Sequence, residues 1–375
     1  HMSARRQRQM CIRDSTDPRR DASTDHPLKS ILFIAVCAVI CGADGWTGVA
    51  RWGEAKKPWL DTFLDLPCGI PSHDTFRRVF SILDPDQFAQ AFQAWMADAA
   101  QLTQGAVIPI DGKTLRRSLS KTGNQAAIHM VSAFAAENGV VLGQVKTEEK
   151  SNEITAIPAL LKMLKLKGCL VSIDAMGCQK TIANQIRQQG GDYLLAVKAN
   201  QPTLEEIVEE SVELGLEDGV EEYGGSYAKS VEKRAGAEIR REVWVMPAPD
   251  DLEDLEVWPG LGSLLLARRT VISNGEEKAG RRLYISSLDA SCGRQLLDAV
   301  RQHWSIENQL HWSLDVAFDE DHSRIRFGNS AENMARLRHI ALNLLKQEKT
   351  AKVGIKIKRN MAGWDHAYLL KVLGL

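Results

Sequence analysis

The chain lacks the signatures of several common classes of protein. Its seven cysteines, at 11, 37, 41, 68, 169, 178 and 292, include no C-x-x-C pair. Such an odd, unclustered set argues against a zinc ribbon or a disulfide framework and leads us to expect reduced thiols in a cytoplasmic protein. No apolar run reaches the roughly 20 residues of a membrane helix. The longest, residues 31–41, follows Asp14, Asp17, Asp21 and Asp25, the wrong charge for the basic start of a signal peptide, so a buried helix is expected. No internal repeat of 20–50 residues is visible, which removes solenoids and propellers. Nor is there an excess of charge: 47 basic and 48 acidic residues leave a net charge of −1. A nucleic-acid enzyme is more comfortably basic, so this neutrality counts mildly against DNA.

The neutrality hides local asymmetry. Residues 205–222 carry nine acids and no Lys or Arg, whereas the arm Arg5-Arg6-Gln7-Arg8 and the tail residues Lys352, Lys356, Lys358 and Arg359 are basic. At 375 residues, 44% hydrophobic, the chain can build two or three domains with a sizeable core. His1-Met2 reads as a cloning remnant, and residues 1–26 as a polar arm.

Residues 27–104 read as an N-terminal helical domain. Leu28, Ile31, Leu32, Ala35 and Val39 recur at helical spacing, and Ser72 offers an N-cap for a helix through Arg77, Arg78 and Leu83. Pro85 starts another helix through Phe88, Phe92 and Trp95. The arrangement suggests a helix-turn-helix with Arg77 and Arg78 toward DNA; two surface arginines on an ordinary helical domain fit equally well. From residue 105 the texture becomes α/β. Two strand-like runs around the Glu137-Asn138-Gly139 turn follow a first strand, suggesting an antiparallel meander. A helix capped by Ser151, a short strand, a helix closed by Gly190-Gly191, another strand and an acidic helix opened by Pro202 come next.

Two of these strands end in an acid. Val107–Ile110 delivers Asp111, and Cys169–Ile173 delivers Asp174. On neighbouring strands, two such carboxylates suit a hard cation such as Mg²⁺, which takes oxygen ligands, and metal sites of that kind commonly work on phosphates. This order of strands and acids is that of an RNase H-like core, in which a late helix supplies a third acid; Glu307 is the best candidate by position. His303, Glu307 and His311 share helical spacing, but without the H-E-x-x-H pattern a zinc site is the weaker reading. Asp315 and, more weakly, Glu153 are alternative third acids.

The motifs Asp111-Gly112-Lys113-Thr114-Leu115-Arg116, Ser172-Ile173-Asp174-Ala175-Met176-Gly177, Lys198-Ala199-Asn200-Gln201-Pro202 and His303-Trp304-Ser305-Ile306-Glu307-Asn308 occur in this order. Together they resemble the DDE transposases of bacterial insertion sequences, in the H-repeat-associated branch. Residues 69–80 resemble that branch's N-terminal associated domain, and the likeness runs from about residue 25 to 345. It implies an RNase H-like mixed sheet flanked by helices over 105–350, with a strand-rich insertion at about 216–290 and a basic helical tail at 351–375. It also implies Asp111, Asp174 and Glu307 as a catalytic, metal-binding triad for Mg²⁺, with Mn²⁺ able to substitute. The insertion accounts for the spacing, 63 positions between the aspartates but 133 from Asp174 to Glu307.

The implied activity is cutting of transposon ends and joining of 3′-hydroxyls to target DNA, with DNA inverted repeats, target DNA and a second copy of the chain as partners. Lys113, Arg116, Arg117, Lys198, Asn200, Gln201, His303, Arg324 and Arg326 are the expected DNA contacts. For the basic residues after Asp111, a solvated loop is the competing reading. Trp304 and Trp312 can stack on a flipped base, although core packing is the stronger expectation. Two departures matter. Related transposases often place Arg and Lys around the glutamate where this chain has His303 and Leu314, and a Gly-His-Gly-Arg-like stretch where it reads Arg234-Ala235-Gly236-Ala237. They motivate two alternatives: a domesticated DNA-binding or regulatory protein with a decayed core, and a metal-dependent nuclease without strand transfer.

Overall fold

A computed structural model describes residues 17–19, 25–90, 105–118, 127–147, 153–234, 236–249, 255 and 257–375. The basic arm before residue 17, Phe92 and Trp95, the Ser151 cap and Ala235 lie outside the described residues, whereas the helix expected from Pro85 is present over 85–90, with Phe88 buried.

The N-terminal part is helical: α1 (Leu28–Ile40), α2 (Trp46–Leu60) and α3 (His73–Ile82). α1 is apolar all round, so it is buried almost throughout, from Ile31 to Ile40. α2 has no counterpart in the sequence reading, because its many polar residues and internal Pro58 blur the periodicity. Ser72 caps α3, its Oγ accepting from the Thr75 N–H at 3.2 Å.

The centre is one sheet of nine strands: β1 (Val107–Thr114), β2 (His129–Ala135), β3 (Val140–Thr147), β4 (Leu170–Ile173), β5 (Asp192–Val197), β6 (Ser226–Arg234), β7 (Ala237–Pro247), β8 (Ser263–Ser273) and β9 (Glu276–Ser286). The spatial order is β3-β2-β1-β4-β5-β9-β8-β7-β6. β1–β3 form the expected antiparallel meander, turned at Gly139, whose φ of 66° favours glycine. β4 and β5 then pair in parallel, through crossovers carrying α4 (Glu153–Lys162) and α5 (Lys180–Gln188). After α6 (Pro202–Asp218) the chain adds β6–β9 antiparallel to the β5 edge, so the insertion extends the central sheet. Apolar side chains fill both faces of the sheet. Ile108, Ile110 and Ile173 meet α4 and α5, while Val107, Leu170 and Leu194 meet α7 (Gly293–His303).

α8 (Trp312–Phe318), α9 (Ser330–Gln347), α10 (Ile355–Trp364) and α11 (His366–Leu373) complete the chain. The structure joins what the sequence separates. Leu369 and Val372 of α11, Leu337 and Leu344 of α9 and Ile31 to Ile40 of α1 share one core, so the basic tail is no free appendage. Lys358 is buried and donates to the Leu345 carbonyl, and Arg359 is buried and donates to the Val39 carbonyl at 2.9 Å. Two of the four basic tail residues therefore satisfy helix-end carbonyls and leave none of their charge for DNA. α9 also binds α3 directly: Asn333 donates to the carbonyls of Phe80 and Leu83. Among the described residues no helix is long and apolar enough to cross a membrane.

Candidate active site

β1 and β4 run in parallel with Ile110 opposite Ile173. Asp111 and Asp174 are each the next residue, so they leave the same edge of the sheet from neighbouring strands, about 4.8 Å apart as strands lie. Both carboxylates are braced by backbone: Asp111 Oδ1 accepts from Gly112 N–H at 2.8 Å, and Asp174 Oδ1 from Met176 N–H at 3.1 Å, capping the turn at 175–177.

Burial and like charge dominate the electrostatics. The Asp111 carboxyl is raised to about 7, by burial first, then by the charges of Asp174, Glu307 and Glu153, against the Gly112 hydrogen bond. Asp174 is raised by burial and by Glu153, with the Gly177 and Met176 N–H groups and Lys198 opposing. These carboxyls fit a hard divalent cation, which removes the repulsion that their burial intensifies. Among the described residues no three acid, His or Cys side chains converge closely enough to hold an ion as they stand. The shift has a measurable sign. Between the ordinary value of 3.8 and about 7 the folded chain holds a proton on Asp111 that the unfolded chain has lost, so this group's contribution to stability falls as pH rises through that window. Thermal unfolding of the metal-free protein from pH 4.5 to 7.5 should show that loss, and Asp111→Asn should flatten it; parallel curves would contradict the assignment.

Glu307 stands on a π-helical segment, Ile306–His311, between α7 and α8. A π-turn is rare and concentrates at functional sites. It breaks the even spacing of the sequence triplet, and the three side chains separate. His303 packs under β4, buried against Ser172 Oγ at 3.0 Å, and its pKa falls to about 4 through burial and Arg282. Expected at DNA, it has no surface to offer. His311 Nδ1 faces Asp111 Oδ2 at 3.7 Å and its pKa drops to about 3, through burial first and Lys113 second. Glu307 is exposed, yet its charge still reaches Asp111.

The other expected contacts divide. Lys113 turns inward, paired with Asp315 and, at 3.1 Å, with buried Glu320, so it is not a phosphate contact. That pairing also removes Asp315 from the list of free acids. Asn200 and Gln201 donate to the carbonyls of Ala175 and Cys178, bracing the Asp174 turn. Arg116, Arg117, Lys198, Arg324 and Arg326 are exposed, with Arg326 holding the Arg117 carbonyl at 2.8 Å. Arg78 is exposed on α3, while Arg77 pairs with Asp74 at 3.0 Å and lies over Phe327. Trp312 overturns the core-packing expectation, being 60% exposed, whereas Trp304 lies under Arg282 at 4.1 Å.

Sequence reasoning missed a groove of about 1350 Å³ between β6–β9 and the segment from α7 to α8. Eight arginines and lysines line it against three glutamates, and Glu307 and Trp312 are among its lining residues. The signal was present as basic residues across three paired strands, including Arg241, Arg269 and Arg281, but their convergence needed the strand register.

The associated-domain family, DDE_Tnp_1-associated, matches residues 10–96, and the family described as Transposase DDE domain matches residues 103–344. The chain is 43% identical over 362 residues to the H repeat-associated putative transposase YhhI of Escherichia coli (strain K12), covering 95% of each chain. It is equally similar, 43% over 360 residues, to the putative transposase YncI of Escherichia coli O157:H7, over 95% of this chain and 92% of that one.

Proposed function

This chain belongs to the DDE transposase family, and on that premise we propose that it cuts transposon ends and joins the freed 3′-hydroxyls to target DNA, with Asp111, Asp174 and Glu307 as its catalytic carboxylates. The observation that carries this reading is the pair of half-buried aspartates where two neighbouring strands stop pairing in parallel, with the charge of Glu307 felt at Asp111. Asp111 and Asp174 would hold magnesium, or manganese in its place, with Glu307 completing the set. Bound divalent metal supplies Lewis acidity, activating the attacking oxygen and steadying the leaving one. The protein's own contribution is position: Gly112 and Met176 N–H fix the two aspartates, and Asn200 and Gln201 fix the turn behind Asp174.

DNA would lie across the exposed Arg116, Lys198 and Arg324 and enter the arginine-lined groove that leads to Glu307. Each phosphate contact adds about 0.9 to the slope of log K against log salt for duplex DNA. The double substitution Arg269→Ala, Lys278→Ala should therefore lower that slope by up to about two in end-DNA titrations; an unchanged slope would exclude these side chains from the DNA path. Two ends must be held together for joining, so the working form would be a pair of chains on DNA.

The test of the function is end-labelled inverted-repeat DNA incubated with the full chain and Mg²⁺ or Mn²⁺, followed by plasmid integration. Nicking and integration support a transposase, nicking alone a nuclease. Tight binding without cleavage, unchanged by replacing all three acids, would favour a regulatory protein.

A further inference from the structure

Gly112, the residue after Asp111, projects to the opposite face of β1. A Cβ there would sit 2.2 Å from His129 Nε2 and 2.5 Å from Glu153 Oε1. The missing side chain makes room for an acid–histidine pair pressed against the strand that carries the catalytic carboxylate. His129 lies opposite Thr114 in the β1–β2 ladder, and its Nδ1 meets Thr114 Oγ1 at 2.8 Å. Its Nε2 approaches Glu153 Oε1 at 2.6 Å, off the axis of a directed hydrogen bond. Both residues are buried, at 1% and 5% exposure.

Glu153 opens α4, where the helix N-terminus favours a negative charge. A buried carboxylate is costly to keep without a purpose, and among the described residues the packing of α4 rests on Ala156, Ile157, Leu160 and Leu161, not on Glu153. The charge of Glu153 instead falls on both aspartates, and beside Asp174 it is the leading electrostatic influence after burial.

We propose that Glu153, held in place by His129 in the space left by Gly112, is a fourth carboxylate of the cation site, a positioning residue that strengthens divalent-metal binding at Asp111 and Asp174. The inference rests on the metal-dependent reading of the site given above. Asp111 and Asp174 offer at most two negative charges to a hydrated dication from one sheet edge. Glu153, approaching from the other face, adds a third carboxylate without entering the space where DNA would lie, whereas Glu307 is exposed. The division gives the two acids different duties. Glu307 completes the site when substrate is present, and Glu153 sets its affinity in the free protein.

The test is calorimetric titration of the full chain with Mn²⁺ alone, paired with thermal unfolding with and without Mn²⁺. Glu153→Gln keeps the shape, and its amide can donate to His129 Nε2, so the pair stays satisfied. We expect Mn²⁺ affinity to fall about tenfold, in the range for groups behind the metal ligands, while the metal-free midpoint holds or rises because repulsion is relieved. Asp111→Asn with Asp174→Asn should abolish binding. If those two leave Mn²⁺ binding intact, the metal reading of the site fails, and this inference with it. If they abolish it but Glu153→Gln binds within twofold of the parent, or loses affinity only together with a lowered metal-free midpoint, the fourth-carboxylate role alone is overturned.

Discussion

Asp111→Ala should lower metal-dependent cleavage of end DNA by at least about a thousandfold. A metal clamp supplies several kcal/mol to the transition state, and each 1.36 kcal/mol is a factor of ten in rate, so losing the central ligand removes three or more decades. The protein should remain folded, because the variant deletes a carboxyl that burial and three neighbouring acids already disfavour. Asp315→Asn is the matched control. That residue is also acidic and also near the site, but its charge is spent on Lys113, so its loss should change cleavage less than about tenfold. Single-turnover rates on one labelled end measure both variants. An Asp111→Ala protein within a factor of ten of the parent would remove Asp111 from the chemistry and with it the carboxylate mechanism.

Glu320→Ala should destabilise the chain by about 3–5 kcal/mol, the cost of leaving buried charge unpaired. Glu320 is 3% exposed and lies between two cations, Lys113 at 3.1 Å and Arg338 at 3.6 Å, the latter itself buried on α9. Lys113 keeps Asp315, but among the described residues Arg338 is left with a long contact to the Asp44 carbonyl at 3.5 Å. Urea unfolding measures the loss, and a change below about 1 kcal/mol would show that water reaches the site and solvates the two cations. The network matters beyond stability, because it links the residue two places after Asp111 to the helix that holds the N-terminal bundle. Cleavage should therefore weaken in this variant even under conditions where it remains folded.

The strands that hold the candidate carboxylates were legible because their signals are local. A run of β-branched residues ending in one acid identifies a strand within eight residues, and it places Asp174 directly after β4, whereas β1 runs past Asp111 to Thr114 because it keeps pairing with β2. The Gly139 turn, the Ser72 cap and the glycines closing α5 are equally local, and the order of the four family motifs needs no geometry at all. α2 escaped because its polar faces and Pro58 give no clean period.

Which side chains face the site was a different matter. Lys113 follows Asp111 directly and looks like a phosphate contact, yet its partners lie 202 and 207 residues away and draw it inward. His303 carries the right spacing for an exposed row, but a π-turn rotates Glu307 and His311 away from it. Trp312, directly after that turn, is left on the surface.

The sequence by itself determined the family, the first five strands and the two aspartates they bring forward, since these follow from residue type and spacing along a few residues of chain. The tertiary structure alone decided which charges are spent on one another, which stay exposed, and that Glu153 sits against Gly112, the residue after Asp111. Those outcomes depend on strand register and helix packing across hundreds of residues, where burial raises the energetic weight of each charge pair and a one-residue shift reverses the face that a side chain occupies.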